Sequence, residues 1–544
     1  MAQFMNKKED IVTEAIDGLI ATSGGRLVRL DGYPHIRVVM RSDWNKSKVA
    51  IVSGGGAGHE PAHAGFVGFG MLAAAVCGDV FASPSVDAVL AAILAVTGTA
   101  GCLLIVKNYT GDRLNFGLAA ERARALGLDV SMVIVDDDIA LPDIAQSRGV
   151  AGTIFVHKIA GALADAGANL NTVTRAAEKV IEKTASIGMS LDTCTVPGSS
   201  KETRIPYGKA ELGLGIHGEA GVHQVAYENA QAAMAMVVER LKQHMTSSQP
   251  YVALLNNLGG ATVLEMQVLA YELARSETAS RLKYIAGPAA LMTSLNMRGF
   301  SVSIMPVTDD EAEALSLPTE TPAWPGLATF SKNSTIELPD GLRPVQPTPS
   351  KHPATQELLT RCCKVFINSE KYLNSLDAKA GDGDTGTTLA GAARALIEAM
   401  DRLPLADHAQ LYSAIGLELS ETMGGSSGVL LAIFFAATGD AAVSGLPIRE
   451  SLKLGLKRMQ EIGGAEEGDR TMVDALKPAL EALDRDLLCA AGAARAGANR
   501  TSEMSRARAG RSSYLNSEQL IGCTDPGAEA VARLFEALAV PGTI

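Results

Sequence analysis

The sequence of 544 residues lacks the features of secreted and membrane proteins. Its first eight residues do not contain the apolar core of a signal peptide, so secretion is not expected. The most apolar runs, residues 71–76 and 429–437, are too short to span a bilayer, so no membrane partner is expected. The seven cysteines include no CxxC pair, which favours reduced thiols and a cytoplasmic location.

Positive charge is also scarce. Lysine and arginine number 48 against 60 aspartates and glutamates, and the formal net charge is -12. Because an acidic chain repels polyanions, a general nucleic-acid-binding role is not expected, although a local cationic site for phosphate remains compatible with this charge. Hydrophobic residues make up 47% and charged residues 20% of the chain, which is typical of a globular protein.

The familiar nucleotide-binding motifs are missing as well. No GxxxxGK[ST] string occurs, which excludes a P-loop kinase, and the motifs of protein kinases are absent. Any nucleotide site must therefore use other residues.

The N-terminal part alternates between short β-branched runs and helical patterns. Strands are predicted at residues 48–52, 102–106, 130–135 and 251–255, with helices between them, for example at 87–96 and 116–126. This alternation predicts an α/β fold, in which ligands bind beyond the carboxyl ends of the strands. Polar clusters follow each predicted strand, so a binding site is expected there.

The pattern changes after about residue 315, where prolines become frequent and apolar runs become rare. We predict a substrate domain over residues 1–330, a proline-rich linker over 331–353 and an all-helical domain over 354–544.

The strongest local signal is the string LDAKAGDGDTGTT at residues 376–388. Asp377, Asp382 and Asp384 would repel one another unless a cation lay among them, and carboxylate oxygens suit Mg²⁺ beside phosphates. A polar loop or a lone Ca²⁺ site is the alternative, but the closing Glu of an EF-hand is missing. The threonines that follow are predicted to begin a helix, whose N–H groups can bind phosphate.

Several weaker signals remain ambiguous when they are taken singly. The strings MGGSSG at residues 423–428 and GDRTM at 468–472 fit either anion sites or ordinary helix starts. The glycine-rich run at 53–61 is interpreted as a turn that lets backbone approach a small ligand. A lone histidine such as His217 is more often structural, and residues 136–138, three aspartates, are interpreted as a solvated strand end.

Taken together, seven strings resemble the single-chain, ATP-dependent dihydroxyacetone kinases. In chain order they are SGGGAGHEP (53–61), KNYTGD (107–112), GIHGE (215–219), LDAKAGDGDTG (376–386), MGGSSG (423–428), GDRTM (468–472) and DPGA (525–528). The resemblance covers about residues 10–540. It implies two α/β subdomains followed by an antiparallel helical barrel that binds nucleotide, and a homodimer.

The resemblance also implies a substrate site. His217 matches the histidine that binds the ketone carbon covalently as a hemiaminal, and Asp112 matches the base, assisted by His59. Substrate-binding positions are matched by Gly56, Ala57, Gly58, His59, Lys107 and Asp112. Relatives usually carry a Ser or another small residue where this chain has Ala57, and a Pro where it has Ala220.

The same resemblance implies a site for ATP and Mg²⁺ in the helical domain. Asp377, Asp382 and Asp384 match the metal ligands. Nucleotide contacts are matched by Thr385, Gly386, Thr387, Thr388, Ser426, Ser427, Gly463, Thr471, Met472, Arg511, Asp525, Pro526 and Gly527.

The implied reaction is ATP-dependent phosphorylation of dihydroxyacetone, with glyceraldehyde as a second substrate. Three alternatives remain open: a kinase for a larger ketose such as erythrulose, a cyclising cleavage of FAD as a side activity, and a ligand-sensing regulator without catalysis. A regulator would be expected to have lost the histidine or the aspartate trio, and both are present.

Overall fold

The computed structural model describes residues 3–32, 36–140, 147–321, 323–331, 333–339 and 347–540, apart from the side chain of Arg511. The chain divides into two compact units, Met1–Thr335 and Ile336–Ile544. The proline-rich segment predicted as a linker falls at this boundary, and part of it lies outside the described residues.

Unit 1 contains thirteen described strands, which form two sheets. They are β1 (Leu27–Arg29), β2 (Val38–Arg41), β3 (Ala50–Ala57), β4 (Ala74–Val80), β5 (Cys102–Lys107), β6 (Val130–Val135), β7 (Ala185–Ser190), β8 (Lys209–Leu212), β9 (His223–Ala226), β10 (Tyr251–Asn257), β11 (Leu282–Ala289), β12 (Gly299–Pro306) and β13 (Ala328–Thr329).

The two sheets differ in direction. The first has the order β1-β2-β4-β3-β5-β6, with parallel pairing from β4 to β6 and antiparallel pairing of β1 and β2. The second has the order β13-β11-β10-β12-β7-β8-β9 and is antiparallel except for the pair β10 and β11. The carboxyl ends of β3 and β5 therefore lie side by side at one edge of the first sheet.

Helices cover both sheets of unit 1. They are α1 (Ile11–Ala21), α2 (Val86–Val96), α3 (Thr110–Ala125), α4 (Thr153–Asp165), α5 (Leu170–Lys183), α6 (Ala230–Lys242), α7 (Val263–Arg275) and α8 (Asp309–Ser316). One core packs α2 and α3 on the first sheet, and another packs α6 and α7 on the second. A third core joins α4 and α5 to residues of both sheets, so these helices lie between the sheets. Helix α4 is accordingly buried over almost its whole length.

Two local predictions for unit 1 are wrong in part. The first half of the glycine run is not a turn, because β3 continues through Ala57 and pairs with β4, and the chain bends only from Gly58 onwards. The aspartate cluster is exposed only at Asp136, since Asp137 and Asp138 are 2% and 5% exposed. Asp137 accepts hydrogen bonds from the backbone N–H groups of residues 150 and 152, and Asp138 pairs with Arg148. These partners arrive from a later segment of chain, which a local pattern does not reveal.

The regular secondary-structure elements in the described part of unit 2 are helices. They are α9 (Pro353–Ala380), α10 (Thr385–Glu398), α11 (His408–Thr422), α12 (Gly425–Val443), α13 (Ile448–Gly463), α14 (Val473–Ala482), α15 (Leu487–Thr501), α16 (Ser517–Leu520) and α17 (Pro526–Ala539). Two apolar clusters fill the unit, one around α9 to α12 and one around α12 to α15 with α17.

Helix α12 is longer than the apolar run at residues 429–437. Its 19 residues have a mean hydropathy of 1.6 in the most apolar window, so by length and composition alone it could cross a membrane. It packs between α11 and α13, where close contact requires glycine. A Cβ atom at Gly455 of α13 would lie 2.5 Å from the carbonyl oxygen of Phe434.

Candidate active site

The first part of the site is the carboxyl end of β3, where glycine permits close packing. A Cβ atom at Gly54 would lie 2.3 Å from the carbonyl oxygen of Val76, and one at Gly56 would lie 2.7 Å from the backbone nitrogen of Ala82. Gly58 has a φ of +99°, a conformation that favours glycine. The run is therefore glycine-rich because the strand passes tightly between its neighbours before it reaches His59.

Lys107 and Asp112 converge on β3 from the neighbouring strand and helix. Lys107 ends β5 and is fully buried, while Asp112 lies in the first turn of α3 and is 2% exposed. A Cβ atom at Gly55 would lie 2.9 Å from the Lys107 ammonium nitrogen and 3.5 Å from Asp112 Oδ2. Burial lowers the pKa of Lys107, and the charge of Asp112 opposes this shift. Asp112 Oδ1 is buried without a hydrogen-bond partner among the described residues, so it can accept a proton from a ligand.

The protonation of His59 follows from one backbone contact. Its Nδ1 lies 2.8 Å from the carbonyl oxygen of Thr293, which can only accept, so Nδ1 carries the hydrogen. Nε2 is then a bare acceptor, and it is buried with no partner in the described part of the chain. Burial, followed by the charges of Lys107 and His217, lowers the pKa of His59 well below its usual value. His59 is therefore neutral, and the free lone pair on its Nε2 can accept a hydrogen bond from a hydroxyl group.

His217 lies in the loop between β8 and β9 and is surrounded by three rings. The centroid of its ring is 4.3 Å from that of Tyr109, 4.8 Å from that of His59 and 5.4 Å from that of Phe81, with interplanar angles of 78° to 90°. Its side chain remains 18% exposed. This packing fixes the plane of the imidazole and leaves part of it accessible to a small molecule.

Glu219 fixes the tautomer of His217. One carboxylate oxygen lies 3.3 Å from Nδ1 of His217, and the other accepts the backbone N–H of His217 at 2.9 Å. Although burial acts to raise it, hydrogen bonding with His217 lowers the pKa of Glu219 to about 2. The ionised carboxylate keeps a hydrogen on Nδ1, so Nε2 is the nitrogen with an available lone pair.

The aspartate trio is brought together at the end of α9. One oxygen atom from each of Asp377, Asp382 and Asp384 lies within 4.8 Å of the others. Asp377 is buried in the last turn of α9, and its Oδ2 accepts the backbone N–H groups of Asp384 and Thr385 at 2.9 and 3.1 Å. These bonds fold the loop back onto the helix, and Gly383 turns it with a φ of +80°. A set of three hard oxygen donors in this arrangement fits Mg²⁺.

The residues predicted to contact nucleotide lie mainly where helices begin. The first turn of α10 contains Thr385, Gly386, Thr387 and Thr388, and the first turn of α12 contains Ser426 and Ser427. Helix α14 is preceded by Thr471 and Met472, and α17 starts with Asp525, Pro526 and Gly527. Gly463 is the exception, because it ends α13. Helix N-termini present unpaired N–H groups and a partial positive charge, both of which suit phosphate. The side chain of Arg511 lies outside the described residues.

Contacts between loops join several of these helix starts. The guanidinium of Arg470 donates to the carbonyl oxygen of Cys523 at 2.7 Å, which ties the loop before α14 to the loop before α17. A Cβ atom at Gly527 would lie 3.2 Å from that of Met472. The thiol of Cys523 lies 3.9 Å from the carbonyl oxygen of Leu376, next to the aspartate trio.

Three residues of the substrate site were not singled out by sequence reasoning: Phe81, Tyr109 and Glu219. Tyr109 lies in the string KNYTGD and Glu219 in the string GIHGE, and both strings were selected for neighbouring residues. The sequence therefore did point to the positions of Tyr109 and Glu219. Phe81 carried none, because its φ of +56° and its stacking on His59 are visible only in the structure.

Comparison with known proteins gives the family. The family models described as the Dak1 domain and the DAK2 domain match residues 17–323 and 379–540. The dihydroxyacetone kinase of Citrobacter freundii is 48% identical, over 98% of this chain and 98% of its own. The chain belongs to the dihydroxyacetone kinase family. This assignment confirms the predicted enzyme class, ATP-dependent phosphorylation of dihydroxyacetone.

Further relatives agree with this assignment. The human triokinase/FMN cyclase is 39% identical, over 98% of both chains. A crystal structure of the Citrobacter enzyme in complex with AMP-PNP and Mg²⁺ superposes with a TM-score of 0.73 at 46% identity, covering 99% of each chain. The predicted fold class, an α/β N-terminal domain followed by a helical domain, is confirmed.

Proposed function

We propose that this kinase captures dihydroxyacetone as a hemiaminal on Nε2 of His217 and then transfers the γ-phosphate of ATP to a hydroxyl of the bound ketose. The single observation that carries the proposal is the contact of Glu219 with Nδ1 of His217, which leaves Nε2 unprotonated beside the other substrate-site residues. Capture forms an Nε2–C bond while the carbonyl π electrons move to oxygen. The alkoxide oxygen takes up one proton from the solvent, and the ring, which keeps its Nδ1 hydrogen, becomes a cation whose charge Glu219 balances.

Phosphorylation then requires a base for the attacking hydroxyl. Asp112 Oδ1 and His59 Nε2 are both buried acceptors with no other partner among the described residues. We assign Asp112 as the group that takes the hydroxyl proton and His59 as the group that orients this hydroxyl. Lys107, which faces the same glycine as Asp112, donates a hydrogen bond to a substrate oxygen.

In the helical unit, Asp377, Asp382 and Asp384 would hold Mg²⁺. Bound there, the ion neutralises charge on the phosphates of ATP. The starts of α10, α12, α14 and α17 supply a partial positive charge for the phosphates of the nucleotide. No side chain caps the first turn of α12, so its N–H groups remain available to the phosphates, whereas Asp377 already accepts the N–H of Thr385 in α10. In this arrangement the chain contributes position and charge, which are the main requirements of phosphoryl transfer.

Covalent capture selects substrates by their carbonyl group. Glyceraldehyde has a reactive carbonyl and is expected to be a second substrate, whereas glycerol has none and is expected to be rejected. Hydroxyl contacts alone would distinguish these molecules less well, because all three offer similar hydroxyls.

The test follows the carbonyl carbon directly. With [2-¹³C]dihydroxyacetone, the protein should show a new ¹³C signal in the range of a saturated carbon, and His217→Ala should abolish both this signal and the kinase activity. The exposed His223→Ala on β9 is the matched control and should retain both. Full activity of His217→Ala, or rapid turnover of glycerol, would refute covalent capture.

We also propose that the kinase works as a homodimer in the cytoplasm. The family resemblance and the absence of a CxxC pair support this proposal. Light scattering after size-exclusion chromatography should give a mass of two chains, and a monomer with full activity would contradict it.

A further inference from the structure

A chain of buried polar groups lies behind Lys107 and has no part in the reaction as described above. It consists of His63, Ser53 and His157, which are 4%, 0% and 0% exposed. Lys107 Nζ lies 3.1 Å from His63 Nε2, His63 Nδ1 lies 3.4 Å from Ser53 Oγ, and His157 Nε2 lies 3.1 Å from the same hydroxyl. Burying four polar side chains next to one another is costly in free energy unless each of them forms hydrogen bonds. This series of buried groups is therefore expected to have a role.

The direction of every hydrogen bond in this chain can be assigned from one fixed point. Ser53 Oγ lies 2.7 Å from the carbonyl oxygen of Ile105, and it must donate its only hydrogen to that acceptor. The hydroxyl therefore accepts from both histidines, which places a hydrogen on Nδ1 of His63 and on Nε2 of His157. Nε2 of His63 is consequently a bare lone pair that faces the Lys107 ammonium.

We propose that His63 is a positioning residue for Lys107, held in the Nδ1–H tautomer by Ser53. Its Nε2 accepts one hydrogen of the ammonium and so directs the remaining hydrogens towards Gly55 and the substrate. His157 supports this arrangement by occupying the second acceptor site of Ser53, which leaves the hydroxyl no alternative direction. The inference rests on the proposed role of Lys107 in the substrate site.

Geometry also explains why Lys107 needs such an acceptor. Asp112 attracts the ammonium, and a direct ion pair between them would occupy the carboxylate that is needed as a base. The lone pair of His63 offers the ammonium a competing partner at 3.1 Å. Without the His63 acceptor, the ammonium would have a buried hydrogen with no acceptor, and we would expect it to turn towards Asp112 instead.

The variants follow from the shape of the histidine ring. His63→Gln places an amide oxygen near the position of Nε2 and keeps an acceptor, whereas His63→Leu removes it at similar volume. We expect His63→Leu to lower kcat/KM for dihydroxyacetone by about tenfold to a hundredfold, the range for losing a hydrogen bond to a charged group. His63→Gln should recover most of this loss, and KM for Mg-ATP should stay unchanged in both. Equal losses in the two variants, or no loss in His63→Leu, would overturn the proposal.

A second measurement does not depend on activity. In the ¹⁵N-histidine-labelled full-length protein, long-range ¹H–¹⁵N spectra should show His63, assigned by its disappearance in His63→Gln, with its hydrogen on Nδ1. Ser53→Ala removes the group that sets this tautomer and should shift the signal towards the Nε2–H form. The exposed His244→Gln serves as the assignment control. A hydrogen on Nε2 of His63 in the unmodified protein would overturn the proposal.

The two experiments separate the inference from the function on which it rests. If His217→Ala keeps activity while the His63 variants behave as stated, covalent capture fails and the positioning role stands. If His217→Ala is inactive and His63→Leu is normal, the positioning role alone fails.

Discussion

Replacing Glu219 by glutamine tests how strongly the carboxylate activates His217. Glutamine keeps the size of the side chain and one oxygen acceptor but removes the negative charge. In the proposed mechanism this charge stabilises the ring after Nε2 has added to the ketone. We therefore expect weaker capture of dihydroxyacetone and little change in the fold.

The size of the effect follows from the pKa of the carboxyl group. It falls from 4.5 to about 2 in the folded protein, which would correspond to about 3.5 kcal/mol at roughly 1.4 kcal/mol per unit. The side chain of Glu219 is 39% exposed, and solvent screening reduces such an interaction to about 1 kcal/mol. A loss of about 1 kcal/mol weakens binding by about fivefold.

Two titrations measure this loss. The ¹³C signal of captured [2-¹³C]dihydroxyacetone gives the dissociation constant, and steady-state kinetics give kcat/KM for the ketose. The exposed Glu228→Gln, from the segment after β9, is the matched control. Capture by Glu219→Gln that equals the unmodified protein within twofold would show that the carboxylate does not stabilise the charged ring, and the reasoning from the pKa would be refuted.

Three further predictions concern other groups. Asp112→Asn should lower kcat by about a hundredfold or more at nearly unchanged capture of the ketose, because a general base is removed but His217 is not touched; unchanged kcat would remove Asp112 from its assigned role. Asp382→Asn should weaken activation by Mg²⁺ by more than about a hundredfold in a titration of the metal, with capture of dihydroxyacetone retained. Burial, followed by the charge of Lys107, lowers the pKa of His157 from 6.5 to about 3. The contribution of neutral His157 to the free energy of unfolding is therefore complete above pH 6.5 and is lost as the pH falls towards 3. His157→Gln should therefore flatten the decline of the free energy of unfolding between about pH 6 and pH 4 by about 1.4 kcal/mol per pH unit, measured by denaturant titration.

The family and the proximity of the three aspartates could be predicted because strings of neighbouring residues carry them. Asp377 and Asp384 lie within eight positions of each other, and the turn that joins them needs only local bonds such as Asp377 Oδ2 to the N–H of Thr385. The alternation of strands and helices likewise revealed the fold class, since periodicity is a local property. Wherever a feature was set by residues close in sequence, the prediction agrees with the structure.

Features set by distant partners could not be predicted. The glycines at residues 54–56 allow a turn as readily as a strand, and a Cβ is excluded there by groups distant in sequence: the carbonyl oxygen of Val76, the ammonium of Lys107 and the backbone nitrogen of Ala82. Asp137 follows a strand as a solvated residue would, yet it is buried because Ser186 and the backbone at residue 150 supply hydrogen bonds.

The protonation of the site histidines is the clearest case of this limit. The sequence predicted His59 and His217 as site residues, but whether a histidine nitrogen can accept a hydrogen bond or add to a carbonyl carbon depends on which nitrogen carries the hydrogen. For His59 that choice is made by the carbonyl oxygen of Thr293, 234 positions away in the chain. For His63 the choice is made by Ser53, whose hydroxyl donates its own hydrogen to the carbonyl oxygen of Ile105. Since a backbone carbonyl can only accept, neither assignment can reverse while the sheets keep their positions. In unit 1 the backbone therefore fixes the tautomers of His59 and His63, whereas the carboxylate of Glu219 fixes that of His217.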